Sequence, residues 1–362
     1  MNLPPPGTAG STSAAGGPRA SDLHRALKLV MEGRTLSREE ARLAVEEMLA
    51  EGASAVRAAA LLAAMARRGE EADEVAGFVD ALRARASAVP VPGELAERAV
   101  DVCGTGGDGQ GTFNVSTTAA FVVAGAGVPV AKHGGRAVSS SSGSADVLAA
   151  LGVRIEMPPA VAARALLEAN VTFLFAPAYH PAMKSVAPMR RELGVRTAFN
   201  LAGPLANPLG VRRQLVGVDR PLRVPVLARA LAALGADHAL VVSNSGAGDE
   251  LLPHGLTIVA EVSEGEVRLE EWTAATFGLP ERDPREMAGG NAETNAGILR
   301  SLLDGEKGPR RDAILMNAAA ALVVSGVALD LGDGMVRAAA SIDSGAARRA
   351  LEILAAISQE SA

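Results

Sequence analysis

The chain has 362 residues, of which 48% are hydrophobic and only 2% aromatic, and its formal net charge is −6 at pH 7. This length suffices for two domains or one large α/β domain with a core of alanine, valine and leucine. The acidic balance and the scarcity of aromatic side chains argue against a nucleic-acid partner, which requires basic surfaces or base-stacking platforms.

Cys103 is the only cysteine in the sequence, so neither an internal disulfide nor a cysteine-rich metal site is expected. The apolar stretch at 119–130 is interrupted by glycines and a proline, and no apolar run is long enough to predict a membrane span. Residues 1–20 are rich in proline, glycine, serine and alanine and lack the apolar centre of a secretion signal. We therefore expect a cytoplasmic protein with a disordered tail over residues 1–20.

The segment after this tail predicts helices. From residue 21 to about 88, apolar residues recur at three- and four-residue spacing, as in amphipathic helices. Ser37 followed by Glu40 is the signature of a capping box. The turn-rich segment VPVPGELAE at 89–97 then indicates a domain boundary near residue 92. The sequence thus predicts a small helical domain over residues 21–92.

Beyond this boundary, short β-like runs alternate with helical stretches. The alternation predicts an α/β domain over residues 93–362, with a central, partly parallel sheet flanked by helices. Its strand candidates are AVDVCG, VPVAKH, VTFLFAP, RQLVGVD and HALVVSN, and ligands are expected at their carboxyl ends. The run EVSEGEVRLEEW near residue 261 predicts a β-hairpin, and the last part of the chain is predicted to be helical.

A glycine-rich segment after the first strand candidate, DVCGTGGDGQGTFNVST at 101–117, is the most informative stretch. Its glycines let the backbone approach a ligand and expose successive N–H groups, as a phosphate cradle requires. The glycines alone are as compatible with an ordinary turn as with a ligand site. Asn114, Ser116 and Thr117 favour phosphate binding because they lie where a helix is expected to start.

A second segment, KHGGRAVSSSSGSAD at 132–146, combines cations, hydroxyls and glycines after an apolar run. We predict a loop between a strand and a helix that surrounds a polyanion. The alternative is a flexible serine linker, which seldom has Lys-His-Gly directly after an apolar strand.

Asp249 and Glu250 follow the strand candidate HALVVSN. Adjacent carboxylates at a strand end can hold magnesium together with substrate phosphate oxygens, whereas an acidic pair taken alone is more often solvated surface. The phosphate loops favour the metal site. Arg196 is either a bidentate partner for a carboxylate or a surface arginine. A pocket edge is predicted at Tyr179, His180 and Lys184.

Several motifs occur together and in one order over residues 22–358: GTGGDGxGTFNVST, KHGxRAVSSxSGSADVL, YHPAMK, VRTAFNxxGPLANP, the Asp249–Glu250 pair and GGNAETNA. This combination resembles the anthranilate phosphoribosyltransferases of tryptophan biosynthesis. The resemblance implies the nucleoside phosphorylase/phosphoribosyltransferase fold, a small domain completed by helices from about 181–205, and a homodimer formed through the helical domains. It also implies that anthranilate and phosphoribosyl pyrophosphate meet in the cleft between the domains.

The resemblance further implies which residues form the site. Those expected to bind phosphoribosyl pyrophosphate are Gly104, Gly107, Asp108, Thr112, Asn114, Val115, Ser116, Thr117, Lys132, His133, Gly134, Gly135, Arg136, Ser139, Ser140 and Ser144. Those expected to contact anthranilate are Gly104, His133, Gly135 and Arg196, and those expected to hold two Mg²⁺ ions are Ser116, Asp249 and Glu250. No catalytic side-chain base is expected, because the amine of anthranilate is already a nucleophile and needs only positioning.

Two positions depart from the family pattern. Position 135 is glycine where the family usually has asparagine, and position 141 is serine where lysine or arginine is common. The first change removes an amide near the acceptor and the second removes a charge near the phosphates. We therefore expect altered affinity or an altered aromatic acceptor rather than a different type of reaction.

Other functions fit part of the pattern. A pyrimidine nucleoside phosphorylase shares the fold and the phosphate loop but needs no acidic metal pair. A phosphoribosyltransferase acting on another aromatic amine would keep every phosphate motif. A non-catalytic relative that binds nucleic acid requires a basic face, which the net charge of −6 does not favour.

Overall fold

The computed structural model describes residues 21–107, 109–137, 142–245 and 248–360. Four positions named above therefore lie outside the described residues, namely Asp108, Ser139, Ser140 and Ser141, as does the predicted tail over residues 1–20.

The N-terminal segment forms amphipathic helices, as predicted: α1 (Asp22–Met31), α2 (Arg38–Met48), α3 (Ala55–Arg68) and α4 (Ala72–Ala84). The capping box at the start of α2 is confirmed, because Ser37 and Glu40 exchange backbone and side-chain hydrogen bonds. The carboxylate of Glu74, which is fully buried, accepts the amides of Leu36 and Glu71 at 2.8 and 2.9 Å. Glu74 on α4 is thereby bonded both to the turn before α2 and to the turn before α4.

One sheet contains the strands of the remaining chain: β1 (Val100–Gly104), β2 (Val130–Gly134), β3 (Val171–Phe175), β4 (Arg213–Gly217), β5 (His238–Asn244), β6 (Thr257–Ser263) and β7 (Glu266–Trp272). Their order is β3-β2-β1-β4-β5-β6-β7. The pairs from β3 to β5 are parallel, whereas β5–β6 and β6–β7 are antiparallel. The predicted partly parallel sheet and the predicted hairpin are both confirmed.

Helices connect and cover these strands: α5 (Gly93–Arg98), α6 (Val115–Gly125), α7 (Ser144–Ala150), α8 (Pro159–Ala169), α9 (Ala176–Tyr179), α10 (Ala187–Leu193), α11 (Ala198–Leu205), α12 (Val224–Ala233), α13 (Ala292–Leu303), α14 (Pro309–Val324), α15 (Leu331–Asp343) and α16 (Ala346–Ser358). Alternate strand residues face opposite layers. Leu215 and Leu240 pack with α6, α14 and α16, whereas Val216 and Val241 pack with α12 and α1–α4. In the described ranges, every helix is too short or too polar to cross a membrane.

Two local expectations need correction. Residues 89–97 were expected to form a turn-rich connection, but from Gly93 onward they belong to the short helix α5, which begins directly after Pro92. Lys132 and His133 were assigned both to the strand candidate VPVAKH and to the start of the following loop; with Gly134 they form the carboxyl end of β2, so the strand assignment is confirmed and the loop begins later than predicted. They pair there with Phe173, Leu174 and Phe175 of β3, which satisfies backbone groups that a loop would leave to solvent.

Helices α10 and α11 pack against the N-terminal helices rather than against the sheet alone. The rings of Phe78 on α4 and Phe199 on α11 meet edge to face with centroids 5.0 Å apart. The guanidinium of Arg83 donates to the carbonyl of Leu205 at 2.7 and 3.1 Å. These contacts form one wall of a cleft beside the carboxyl ends of β1 and β2.

Candidate active site

The glycine loop begins where β1 ends, at Gly104, and leads into α6. Gly106, Gly107, Gly109 and Gly111 have φ values of 59°, 71°, 74° and 66°. Side chains rarely tolerate this left-handed backbone region, so glycine is required for the chain to turn back over the strand end. The loop thereby brings backbone N–H groups to the amino end of α6, where they favour a bound anion.

Asp249 lies directly against this loop. Its Oδ2 accepts the amide of Gly106 at 2.7 Å. A Cβ at Gly104 would lie 2.5 Å from Oδ2, and a Cβ at Gly217 would lie 1.6 Å from the Asp249 carbonyl oxygen. The two glycines at the ends of β1 and β4 therefore create the space that Asp249 occupies.

Glu250 reaches the amino end of α6, where its Oε1 accepts the amide of Ser116 at 3.2 Å. The Ser116 hydroxyl also accepts a hydrogen bond from the Lys132 ammonium at 3.2 Å. Lys132 is only 4% exposed, and its ammonium donates to the Val102 carbonyl at 2.5 Å. The structure thus brings both predicted metal-binding carboxylates, the predicted hydroxyl and a buried cation to one edge of the sheet.

The far side of the glycine loop is held by the GGNAETNA motif. The amide of Asn295 donates to Asn114 Oδ1 at 2.8 Å. Backbone bonds join Gly289 to Gly111 and Phe113 to Met287. Asn295 was not singled out in the sequence, although its motif was, because nothing in the sequence distinguishes it from Asn291 nearby.

Other predicted phosphate residues occupy different surroundings. Thr112 pairs with Ala288 as an isolated bridge. The side chains of Val115 and Thr117 are buried, and Thr117 lines a separate cavity of about 10 Å³ with Lys132 and Thr172. At this amino end of α6, Val115 and Thr117 therefore present backbone rather than side-chain groups.

The segment after β2 folds back on α7. The Gly135 carbonyl accepts the Ser144 hydroxyl at 3.3 Å, and Arg136 pairs with Asp146 at 2.8 Å. A Cβ at Gly134 would lie 2.4 Å from Ser144 Oγ, whereas a Cβ at Gly135 would meet no atom within 4 Å. Position 135 consequently has room for a larger side chain.

A cavity of about 290 Å³ lies between the end of β2 and helices α4, α10 and α11. It is lined by Leu82, His133, Ala176, Pro177, His180, Met183, Lys184, Ala187, Arg190, Phe199, Gly203 and Ala206. Among the described residues, His133 Nε2 has no hydrogen-bond partner, and the ring nitrogens of His180 make at most weak contacts with the backbone of Leu82 and Ala206. A mostly apolar cavity with a few buried polar atoms suits an aromatic molecule that carries polar groups.

The two histidines of this cavity meet edge to face with ring centroids 5.2 Å apart. Burial lowers the pKa of His133 to about 3, and burial also lowers the pKa of His180. His133 is therefore neutral at pH 7 and offers one donor and one acceptor nitrogen rather than a positive charge.

Arginines reach both parts of the cleft. Arg196 donates to the carbonyls of Gly106 and Thr105 at 2.6 and 3.2 Å, and its Nε lies 3.6 Å from the Asp219 carboxylate. Arg196 thus holds the glycine loop and does not line the cavity. Arg190, which the sequence analysis did not single out, lines the cavity with its guanidinium 5.1 Å from the centroid of the Phe199 ring.

Arg190 carries no local sequence signal, because it lies in a helix with several other charged residues. Two members of the predicted pocket edge, His180 and Lys184, do line the cavity. Tyr179, the third, is instead buried, and its hydroxyl donates to the Met157 carbonyl at 3.3 Å.

Comparisons with known proteins agree with this arrangement over nearly the whole chain. A model described as "Glycosyl transferase family, helical bundle domain" matches residues 24–86, and one described as "Glycosyl transferase family, a/b domain" matches residues 96–348. An anthranilate phosphoribosyltransferase of Anaeromyxobacter dehalogenans is 52% identical over 334 residues, which cover 92% of this chain and 98% of that protein.

Solved structures are similar as well. The crystal structure of anthranilate phosphoribosyltransferase from Thermus thermophilus has a TM-score of 0.87 at 42% identity and covers 92% of this chain and 99% of its own. Anthranilate phosphoribosyltransferase from Saccharomyces cerevisiae, solved in complex with phosphoribosyl pyrophosphate (PRPP) and Mg, has a TM-score of 0.84 at 29% identity. The match covers 94% of this chain and 98% of the yeast chain.

Proposed function

The chain belongs to the anthranilate phosphoribosyltransferase family, and from this premise we propose how its cleft carries out the transfer. The reaction moves the 5-phosphoribosyl group of phosphoribosyl pyrophosphate (PRPP) to the amine of anthranilate. It yields N-(5-phosphoribosyl)anthranilate and pyrophosphate, the second step of tryptophan synthesis from chorismate. The observation that carries this proposal is the convergence of the glycine loop, Asp249, Glu250, Ser116 and Lys132.

We assign PRPP to the edge of the sheet where the glycine loop meets α6. Its phosphates would be bound by the backbone amides of the loop, by the helix N-terminus and by Lys132. The full proposed set is Gly104, Gly107, Asp108, Thr112, Asn114, Val115, Ser116, Thr117, Lys132, His133, Gly134, Gly135, Arg136, Ser139, Ser140 and Ser144.

We place Mg²⁺ on Ser116, Asp249 and Glu250, with two ions per active site. The side chains offer only oxygen donors, which Mg²⁺ prefers, and Mg²⁺ usually completes its shell with waters and substrate phosphates. In the described part of the chain, no group of three or more histidine, cysteine, aspartate or glutamate residues could hold a metal ion. This is in keeping with a site that the substrate completes. When bound, the ions would neutralise negative charge on the departing pyrophosphate.

Anthranilate would occupy the cavity beside β2. We propose that Arg190 binds its carboxylate, that neutral His133 orients its polar groups, and that Phe199 and Pro177 contact its ring. Gly104 and Gly135 would lie at the inner edge of this subsite. Arg196, which is bonded to the Gly106 and Thr105 carbonyls, is proposed to contact anthranilate from the side of the glycine loop.

The protein's main task in the reaction is electrostatic. Loss of pyrophosphate builds positive charge on the ribose and negative charge on the leaving group, and the buried Lys132 ammonium and the α6 N-terminus stabilise the latter. The amine needs to be positioned near C1 rather than activated. No side-chain base and no covalent enzyme intermediate are required, and a trapped ribosyl-enzyme adduct would overturn this proposal.

We propose in addition that the small domain spans residues 21–92 and is completed by the helices of residues 181–205, with the α/β domain over 93–362. We also propose a homodimer formed through the helical domains, on which the apolar side chains of Met31 on α1 and Val56 on α3 are exposed at 71% and 80%. We also propose a cytoplasmic location.

The first experiment mixes the purified protein with anthranilate, PRPP and Mg²⁺ and follows the loss of anthranilate fluorescence. We expect loss with Mg²⁺ and none in a control without the metal. No loss, despite calorimetric binding of PRPP, would redirect the acceptor to another aromatic amine. Metal-free phosphorolysis of thymidine would favour a nucleoside phosphorylase.

A further inference from the structure

The seam between β1 and β2 is unusually short. β1 pairs with β4 over five residues, and β2 pairs with β3 over five residues. β1 and β2, which lie between these partners, pair only at Val100 and Val130. Regular backbone pairing between the two central strands therefore stops before their carboxyl ends, which is where the cleft lies.

Beyond this single pair, side chains form hydrogen bonds with backbone groups that face the interrupted ladder. Asp101 Oδ1 accepts the amide of His133 at 3.2 Å, and the Lys132 ammonium takes the Val102 carbonyl. The Asn207 amide donates to the Ala131 carbonyl at 2.8 Å. Each side chain satisfies a backbone group that a regular ladder would have paired with the neighbouring strand.

Asp101 and Asn207 also bind each other, since the Asn207 amide donates to Asp101 Oδ2 at 2.9 Å. Both residues are 0% exposed. A buried carboxylate is costly unless it is paired and hydrogen-bonded, and an apolar pair with regular strand bonding would avoid that cost. Such an arrangement is better explained by what it holds in place than by its contribution to stability.

The interruption of the ladder lies at two residues with proposed roles in the reaction. Lys132 and His133 lie on the β2 side of the seam, the first bonded to Ser116 and the second lining the cavity. If the ladder closed, the His133 amide and the Val102 carbonyl would take each other as partners. The strand ends would then approach, and the loops that follow Gly104 and Gly134 would converge.

We propose that Asp101 and Asn207 are positioning residues for the transfer: they take the place of the regular β1–β2 ladder and so fix Lys132 toward the pyrophosphate and His133 toward the acceptor. The inference rests on the proposed function, because it takes the roles of Lys132 and His133 from it. Neither Asp101 nor Asn207 is expected to touch a substrate.

The test begins with Asp101→Asn, which keeps the shape of the side chain but turns one oxygen into a donor that faces the Asn207 amide. We expect kcat to fall by about 10- to 100-fold, the size of effect seen when a catalytic group is misplaced by about 1 Å. The matched control is Ser341→Ala. It removes a similarly buried hydrogen bond from the Ser341 hydroxyl to the carbonyl of Val122, which lies two turns after the start of α6. This control is expected to lower the melting temperature and leave kcat unchanged.

A double-mutant cycle separates positioning from general destabilisation. Combined with Lys132→Gln, Asp101→Asn should lower kcat by clearly less than it does alone, because one of the two groups that it positions is already gone and only the effect through His133 remains. Asn207→Ser, which leaves Asp101 in place, provides a second single variant if Asp101→Asn does not fold.

Wild-type turnover in the same assay tests the proposed function independently. With that turnover present, a wild-type kcat in a folded Asp101→Asn protein would overturn the positioning role. Equal effects of Asp101→Asn with and without Lys132 would overturn it as well, since they would mean that the pair acts on stability alone.

Discussion

Along its β4 edge β1 makes five consecutive backbone pairings, whereas along its β2 edge it makes one and leaves the other groups to Asp101, Lys132 and Asn207. The β4 edge ends in glycines that let Asp249 pack directly on the backbone. On the β2 edge, polar side chains replace the backbone ladder beside the cleft. One strand thus combines close backbone packing beside the metal-binding pair with an interrupted ladder beside the acceptor cavity.

The largest effect is expected from breaking the close packing on the β4 edge. In Gly217→Ala, the new Cβ would lie 1.6 Å from the Asp249 carbonyl oxygen, so Asp249 must move. We expect a loss of about 4 kcal/mol or more in the free energy of unfolding. Urea denaturation measures this loss.

Gly297→Ala is the matched control for that substitution, because its Cβ would meet no atom within 4 Å on the exposed face of α13. This change should raise stability by about 0.5 to 1 kcal/mol through helix propensity. Equal stabilities of the two variants would show that the β4 edge is not tightly packed around Asp249.

The next largest effect is expected from the acidic pair Asp249 and Glu250, of which Asp249 packs against the β4 edge. Asp249→Asn or Glu250→Gln should lower kcat by roughly 100-fold and weaken the response to Mg²⁺, because a carboxylate ligand is lost. A titration of initial rate against Mg²⁺ concentration measures both changes. If both variants kept the wild-type Mg²⁺ dependence, the pair would be removed from the metal site.

The β2 edge is expected to show opposing pH effects on stability. Burial lowers the pKa of His133 from 6.5 to about 3, so the stability it contributes is lost as the pH falls from about 6.5 to 3. Burial raises the pKa of Asp101 from 3.8 to about 6, although Lys132 lowers it. The stability that Asp101 contributes is present below pH 3.8 and is lost as the pH rises through 6. Between pH 6 and 4 the two contributions oppose each other.

Replacing either His133 or Asp101 should reveal the pH dependence of stability that the other residue contributes. Asp101→Asn should lose about 3 kcal/mol more than the wild type when the pH is lowered from 6 to 4, and His133→Gln should gain about 3 kcal/mol relative to the wild type. Urea denaturation of the three proteins at both pH values tests this prediction, and the neighbouring His180 and Lys132 are unchanged in all three. Parallel pH profiles for all three proteins would refute the assigned shifts.

A smaller effect distinguishes the two arginines of the cleft. Arg190→Lys should raise the KM for anthranilate by about 10-fold, since lysine cannot bind a carboxylate bidentately. Arg196→Lys should raise the KM for PRPP as well as the KM for anthranilate, because the glycine loop also loses its bonds to the guanidinium. Steady-state kinetics with each substrate varied decides the matter, and an unchanged KM for anthranilate in Arg196→Lys would remove Arg196 from the acceptor site.

The smallest effect is expected at Gly135, just beyond the end of β2. Its Cβ position is open, so Gly135→Asn should fold normally and restore an amide near the acceptor. We expect the KM for anthranilate to fall a few-fold, in line with about 1 kcal/mol for one hydrogen bond. Equal KM values for the two proteins would contradict the hypothesis that Gly135 weakens binding.

Features that depend on consecutive residues could be predicted from the sequence. Apolar spacing predicted the N-terminal helices, the alternation of strands and helices predicted the α/β sheet, and the GTGGDG segment predicted a glycine loop after the first strand. Helix period, strand length and the left-handed freedom of glycine are properties of the local chain. For the same reason the capping box at Ser37 and the hairpin at 257–272 were predictable.

Which distant residues meet became visible only in the folded chain. Asp101 and Asn207 are 106 positions apart, and Gly106 and Asp249 are 143 positions apart. Arg190 lines the cavity and Arg196 the glycine loop, although both precede α11 and neither has a distinctive local pattern. Such choices depend on side-chain direction and on how layers stack, because the free energy of each contact comes from groups that the chain brings together only when it folds.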